Sequence, residues 1–404
     1  MRGRWNPPGR PRRSGSCARP APICCRRTSS GARRRSSTRA PARFRRCNRR
    51  CASFWARMAR SVAMWRLPFT KRSCASASSM RTASLRMPEA GRKNAWPYDA
   101  ANGGTFMSRF LTVGAAQIAS ETSNLDANLA KHYAYIERAA SLGVDLLVFP
   151  ELSLVGHYGA EALLDVVMTR DDPRLIELSR AAGDMEIIVG FVEEARGAQF
   201  YNAAAVFKNG RLRYIHRKIN LPSYGRLIET KYYAHGRFVD THLITEDWIL
   251  GLLICADLYN PALAHLAFLH GATILTAPIS SGREAVGDEF DNPLSWATTI
   301  QFYAMMYGAP VVMTNRVGRE GDLNFWGGSR ILDPFGRVLA QGGLEEELIT
   351  ARLDYADTRK ARALLPTVRD SNLALVQREM NRLVDRLGVP DVVRHEDDFS
   401  VSGD

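Results

Sequence analysis

The sequence predicts one mixed α/β domain of nearly 300 residues, with strands and helices interspersed, preceded by a long basic segment. Three observations carry that expectation. From Met107 onward, short apolar runs alternate with stretches whose apolar residues recur at helical spacing. Turn signals such as Asn209-Gly210 and Asp333-Pro-Phe-Gly336 fold some strands straight back on their neighbours. Elsewhere a strand runs into a helix, as where the apolar run 248–254 ends at Cys255 and Asn260-Pro261 follows. Asn suits a helix N-cap and Pro the first helical position.

In order, residues 110–117 read as a strand. Residues 124–142 carry Leu125, Leu129, Tyr133, Ile136 and Ala140 on one helical face and stop before Gly143. A buried strand covers 144–149 and ends at Pro150. A helix is expected at 175–182, then strands at 187–192 and 201–207, the latter turned at Asn209-Gly210 into 211–216. Residues 238–244 are placed to pair with 248–254. A helix at 263–269, a strand at 273–277, a long helix at 294–307 and a strand at 310–314 follow. A hairpin at 330–339 and a strand at 348–353 close the domain. Residues 355–404 read as a helical tail, with Leu373, Val376, Met380, Leu383 and Leu387 on one stripe at 371–387. No internal repeat is visible.

Composition divides at Met107. The formal charge of +14 reads at first as a nucleic-acid or membrane-surface binder. Residues 1–106, however, hold 26 of the 55 basic residues against only Glu89 and Asp99, whereas the remainder has 29 basic and 39 acidic residues. The body is therefore mildly acidic. Residues 1–106 are rich in Arg, Ser, Ala and Pro without sustained period, so they are expected to be disordered. A basic nucleic-acid arm and a transit peptide compete with the favoured reading, an upstream stretch translated from a start placed too early. The codons of Gly103-Gly104 can hold a purine-rich ribosome-binding sequence ahead of Met107.

Six cysteines lie in that segment and the body has one, Cys255, which excludes a disulfide within the body and fits a reducing, cytoplasmic setting. No apolar run is long enough for a membrane span. The Gly327-Gly328 and Gly342-Gly343 spots lack a phosphate-binding pattern, so no nucleotide site is expected.

Three stretches put reactive groups at strand ends: Phe149-Pro-Glu151, His216-Arg-Lys218-Ile-Asn-Leu-Pro222, and Ile254-Cys255-Ala-Asp257. A thiol before a helix sits near the positive end of its dipole, which favours thiolate. A nucleophile also needs a base and donors for the developing oxyanion, which a Glu, a Lys and the Ala256 amide can supply. Read singly, each has a plainer explanation: Cys255 a small core residue, Glu151 a helix cap, Lys218 a solvated charge.

Together these stretches resemble the nitrilase superfamily of carbon–nitrogen hydrolases, with a Glu in Phe-Pro-Glu, a Lys in Lys-x-x-Leu-Pro and a Cys closing an apolar strand, all in the family's order. Asn315-Arg-Val-Gly318, Trp326-Gly-Gly-Ser329 and Asp333-Pro-Phe-Gly336 extend the match over about 110–355. The resemblance implies a four-layer αββα sandwich, no cofactor or metal, and assembly as a homodimer or larger. It implies Cys255 as nucleophile, Glu151 as general base and acid, and Lys218 with the Ala256 amide holding the oxyanion. Tyr158 is expected beside the substrate. Glu229, in Ile228-Glu-Thr-Lys-Tyr-Tyr, would orient the lysine, although its neighbours depart from the family's Phe-Asp-Glu-x-Arg-Tyr-Phe.

Nitrilases carry Trp-Glu after the cysteine, and this chain has Ala256-Asp257, which points to a small amide or carbamoyl substrate rather than a nitrile. Nitrile hydrolysis and amide-group transfer on the same residues stay open. A Cys–His dyad using His216 or His157, a non-catalytic binding protein and a nucleic-acid binder are the competing classes. A chain that begins at Met107 is expected to match the full-length chain in melting temperature and turnover, measured side by side; loss of either would assign residues 1–106 a role.

Overall fold

The computed structural model describes residues 109–387, and the expectations for 1–106 and for the end of the helical tail lie outside them. In chain order the elements are β1 (Phe110–Gln117), α1 (Leu125–Ser141), β2 (Leu146–Val148), the short helix α2 (Leu163–Val166), α3 (Pro173–Ala182), β3 (Glu186–Ala195), β4 (Gln199–Lys208) and β5 (Arg211–Arg217). The second half holds β6 (Thr241–Leu243), β7 (Ile249–Leu252), α4 (Pro261–Leu269), β8 (Ile274–Ile279), α5 (Asn292–Tyr307) and β9 (Val311–Asn315). It ends with β10 (Val317–Glu320), β11 (Leu323–Trp326), β12 (Arg330–Leu332), β13 (Val338–Gln341), β14 (Glu347–Asp354), α6 (Tyr355–Leu364) and α7 (Leu373–Leu387).

Two six-stranded sheets form the centre, in the orders β14-β1-β2-β3-β4-β5 and β13-β12-β9-β8-β7-β6. Each contains three adjacent parallel strands, β1-β2-β3 in one and β7-β8-β9 in the other, flanked by antiparallel strands. The first sheet separates two cores. Leu146, Val148, Ile188, Ala204 and Val206 pack with Leu250, Leu252 and Ile274 of the second sheet. Their neighbours Leu147, Phe149, Ile187, Val189, Ala203 and Ala205 pack with Ile136 of α1 and Leu175 and Leu178 of α3. Successive strand residues face opposite ways, so such runs are apolar throughout because both faces are covered. Helices α4 and α5 bring Ala264, Phe268, Trp296 and Ile300 to the second sheet, completing an αββα sandwich.

Local chemistry sets the element ends. Asn124, Asp172, Asn260, Asp291 and Asp354 cap α1, α3, α4, α5 and α6 with side-chain oxygens on backbone N–H groups. Asn209 (φ 51°) and Gly210 (φ 71°) make the expected two-residue β4–β5 turn. The β10–β11 ribbon was not expected from the sequence, whereas α6 opens the stretch read as a helical tail. Helix α7 has no buried residue, and Leu373, Val376, Met380 and Leu387 of its apolar stripe are exposed. No helix among the described residues is long and apolar enough to cross a membrane.

A close approach of two backbones fixes the turn that carries Glu151. A Cβ on Gly190 of β3 would lie 2.5 Å from both the Leu152 nitrogen and the Pro150 oxygen. Only a glycine lets that turn rest directly on β3. Gly190→Ala is expected to destabilise the fold by about 1–3 kcal/mol, read by denaturant unfolding, and to lower turnover because the displaced backbone carries Glu151. Turnover equal to that of the native chain would contradict this.

Candidate active site

Five strand ends converge. Glu151 follows β2, Lys218 follows β5, Cys255 follows β7, Ser280 follows β8, and Asn315 ends β9. Open α/β sheets characteristically place their sites at the carboxyl ends of parallel strands. Cys255 begins a 3₁₀ turn, Cys255–Tyr259, and holds a left-handed backbone with φ 46°. Leu152, directly after Glu151, is also left-handed at φ 51°. Non-glycine residues held there store strain that the surrounding packing must outweigh.

The centre is a buried ionic cluster. The Lys218 side chain is fully buried, and Nζ donates to Glu151 Oε1 at 2.6 Å and to Glu229 Oε1 at 2.7 Å. Asn202 Nδ2 donates to Glu151 Oε1 at 2.8 Å and to Glu229 Oε2 at 3.4 Å. The Ser280 amide donates to Glu151 Oε2 at 2.8 Å. The buried Cys255 thiol lies within electrostatic reach of Glu151 and Lys218. Glu151, Lys218, Glu229 and Cys255 are therefore brought together, and the surface alternative for Lys218 is excluded by its burial.

The electrostatics follow from burial. Desolvation opposes charge on Lys218, but Glu151 and Glu229 outweigh it and hold the ammonium well above its ordinary pKa. Burial pushes Glu229 up to about 7, with Lys218 pulling against it and Glu151 adding to it. Burial likewise pushes the Cys255 thiol well up, reinforced by Glu151 and opposed by Lys218. This corrects the expectation of a thiolate at a helix terminus. The helix proper begins only at Pro261, and the loss of water outweighs a partial charge at that remove. Cys255 is thereby held as a thiol in the field of the Glu151 carboxylate.

The histidine alternatives are placed elsewhere. His216 Nε2 bonds Asp257 Oδ2 at 2.9 Å, and His157 Nδ1 bonds Ser280 Oγ at 3.3 Å. Burial lowers His157 to about 4, so its ring is neutral. Tyr158 lies toward the rim: its hydroxyl donates to Asp322 Oδ1 at 2.9 Å, and its ring meets His157 edge-on at 5.2 Å. Ala256 follows Cys255 in the same 3₁₀ turn. Tyr224 borders the site, its hydroxyl pKa raised chiefly by burial. Sequence reasoning missed Asn202 and Ser280. A lone Asn in the otherwise apolar run Tyr201-Asn-Ala-Ala-Ala-Val was a visible signal for the first. Ser280 acts through its backbone, for which residue type carries no signal. Among the described residues, no group of three or more His, Cys, Asp or Glu side chains is placed to hold a metal ion.

A fold of this kind, with Glu, Lys and Cys at adjoining strand ends, defines the class. The chain belongs to the carbon-nitrogen hydrolase family, which it matches over residues 112–363. It is 31% identical over 262 residues to a glutamine-dependent NAD(+) synthetase of Thermotoga maritima, covering 63% of this chain and 44% of that protein. It therefore spans less than half the length of that relative. It is 26% identical over 272 residues to an N-carbamoylputrescine amidase of Solanum lycopersicum, covering 63% of this chain and 90% of the other. The fold matches a carbon-nitrogen hydrolase from Helicobacter pylori G27 with a TM-score of 0.58 at 23% identity, over 66% of this chain and 96% of that one.

Two consequences of the Glu229 titration are open to measurement. With the group titrating near 7, kcat/KM is expected to rise with pH through about 7, because an ionised Glu229 accepts from Lys218. In Glu229→Gln that limb should vanish; its survival would assign it to another group. Stability runs the other way. The folded value near 7 exceeds the ordinary 4.5, so this group's support of folding is complete below 4.5 and lost as pH rises through 7. The melting temperature of Glu229→Gln minus that of the native chain should therefore grow across this window.

Proposed function

We propose that this protein hydrolyses the C–N bond of a small linear amide or carbamoyl compound through a thioester on Cys255. The observation that carries the reading is the buried Lys218 ammonium gripped by two carboxylates, Glu151 and Glu229, in whose field the buried Cys255 thiol sits.

Glu151 accepts the thiol proton as Sγ attacks the substrate's carbonyl carbon, so the thiolate forms only as it is used. The carbonyl oxygen becomes an oxyanion. Lys218 has three N–H donors, two of which are given to Glu151 and Glu229, leaving one for the oxyanion beside the Ala256 amide. As the carbon–nitrogen bond breaks, Glu151 returns the proton to the leaving nitrogen and the acyl group remains on sulfur. Water then gives a proton to Glu151 and attacks the thioester carbon. The acid leaves, and the thiol is re-formed. Glu229 keeps the lysine in register through both halves.

Ala256-Asp257 after the nucleophile favours amides over nitriles, and the likeness to an N-carbamoylputrescine amidase supports a carbamoyl or amide substrate. The likeness to a glutamine-dependent NAD(+) synthetase favours a second reading, release of ammonia from glutamine for transfer to an acceptor, and L-glutamine belongs in any substrate panel for that reason.

Cys255→Ser is expected to lose nearly all turnover while melting normally, and intact-mass measurement should find an acyl adduct only on the native chain. Lys218→Met should lower kcat by about a hundred- to a thousand-fold with a smaller effect on binding, since the charge it meets develops in the transition state. Substantial turnover in either variant, or faster conversion of nitriles than of every amide and carbamoyl compound, would overturn the proposal.

A further inference from the structure

We propose that Asp257, with His216 behind it, is a positioning pair that ties Lys218 to the Cys255 turn and so sets the gap between oxyanion donor and nucleophile. The pair rests on the acyl-transfer reading and adds to it residues that touch no substrate.

The Asp257 carboxylate is fully buried and sits two residues beyond the nucleophile. Its oxygens divide between two segments that are remote in sequence. Oδ1 accepts from the amides of Ile219 at 3.0 Å and Asn220 at 2.7 Å, the two residues directly after Lys218. Oδ2 accepts from the Ile254 amide, directly before Cys255, at 3.1 Å, and from His216 Nε2 at 2.9 Å. His216 stands two residues before Lys218 on β5 and is itself buried. One carboxylate thus grips both sides of Lys218 and the entry to Cys255. Asn220 Nδ2 adds a second link between the same turns, donating to the Ala256 carbonyl at 3.4 Å.

The chemistry of the acceptor explains why an aspartate stands here. An ionised carboxylate offers about four acceptor positions and no donor. Four N–H groups take them, so His216 is the donor in its contact. An asparagine of the same shape would aim its NH₂ at backbone N–H groups and leave them unpaired in the core, where each such loss is expensive. The tie also accounts for the left-handed turn at Cys255. Ile254 and Asp257 bond reciprocally, side chain to amide and amide to carbonyl, across the strained residue.

A double-mutant cycle tests the pair on the full chain with whichever amide it turns over fastest. His216→Phe is expected to lower kcat by on the order of ten- to a hundred-fold and leave KM little changed, because a slight misplacement of a catalytic group is enough for such a loss. His216→Gln, which keeps an N–H donor, should recover most of it. In the Lys218→Met background, His216→Phe should cost nothing further, since the group it positions is gone. Equal loss in both backgrounds would overturn the proposal while leaving the Cys255 mechanism standing. A second readout is independent of substrate: alkylation of the Cys255-bearing peptide by iodoacetamide, followed by mass. With Lys218 no longer held against the thiol, Asp257→Asn should alkylate more slowly than the native chain. A merely structural role would loosen the turn and alkylate faster. Faster or unchanged alkylation would overturn the pair even if turnover by Cys255→Ser had already removed the acyl-transfer reading.

Discussion

A fully buried ammonium needs its countercharges in place before it can exist, and Lys218 organises the site on that condition. Stripping water from a charge costs several kcal/mol, which is recovered only with well-made ion pairs and satisfied hydrogen bonds. Here Glu151 and Glu229 each lie within 2.7 Å of Nζ. Asn202 and the Ser280 amide then occupy further carboxylate lone pairs. Burial, reinforced by two carboxylates facing one ammonium, raises Glu229 and keeps the Cys255 proton on sulfur.

The scaffold that holds this cluster is built twice. From one edge of each sheet to the other, the pairings run antiparallel, parallel, parallel, antiparallel, antiparallel in both. The sequence shows no such repeat. Sheet pairing needs only an apolar pattern and a connecting helix, which many residues satisfy, so two copies of a topology can share no visible identity. The first half supplies Glu151, Asn202 and Lys218, and the second supplies Cys255 and Ser280. The active cluster exists only where the two sheets meet.

Elements were legible where one local rule decided them. Asn209-Gly210 could only be a tight hairpin, and Asn260-Pro261 could only open a helix. The β10–β11 ribbon was missed because Gly318, Arg319, Glu320, Gly321 and Asp322 present no alternating apolar face. It is held instead by contacts from a distance. Buried Arg316 bonds Glu320, whose carboxylate receives the amides of His157 at 3.0 Å and Tyr158 at 2.8 Å. Helix α6, inside the stretch read as a helical tail, buries only Thr358 and Ala361.

By itself the sequence determined a mixed α/β fold and the order of most of its elements, and it singled out Glu151, Lys218, Glu229 and Cys255 as candidates through their resemblance to a family's motifs. Those follow from periodicity, turn chemistry and motif, all of which are properties of neighbouring residues. The protonation of the thiol, the acceptors of the lysine, the parts of Asn202 and Ser280 and the grip of Asp257 were decided by the tertiary structure alone. Each depends on which groups share a water-free space, and residues as far apart as Glu151 and Ser280 come within 2.8 Å only once the two sheets have closed on each other.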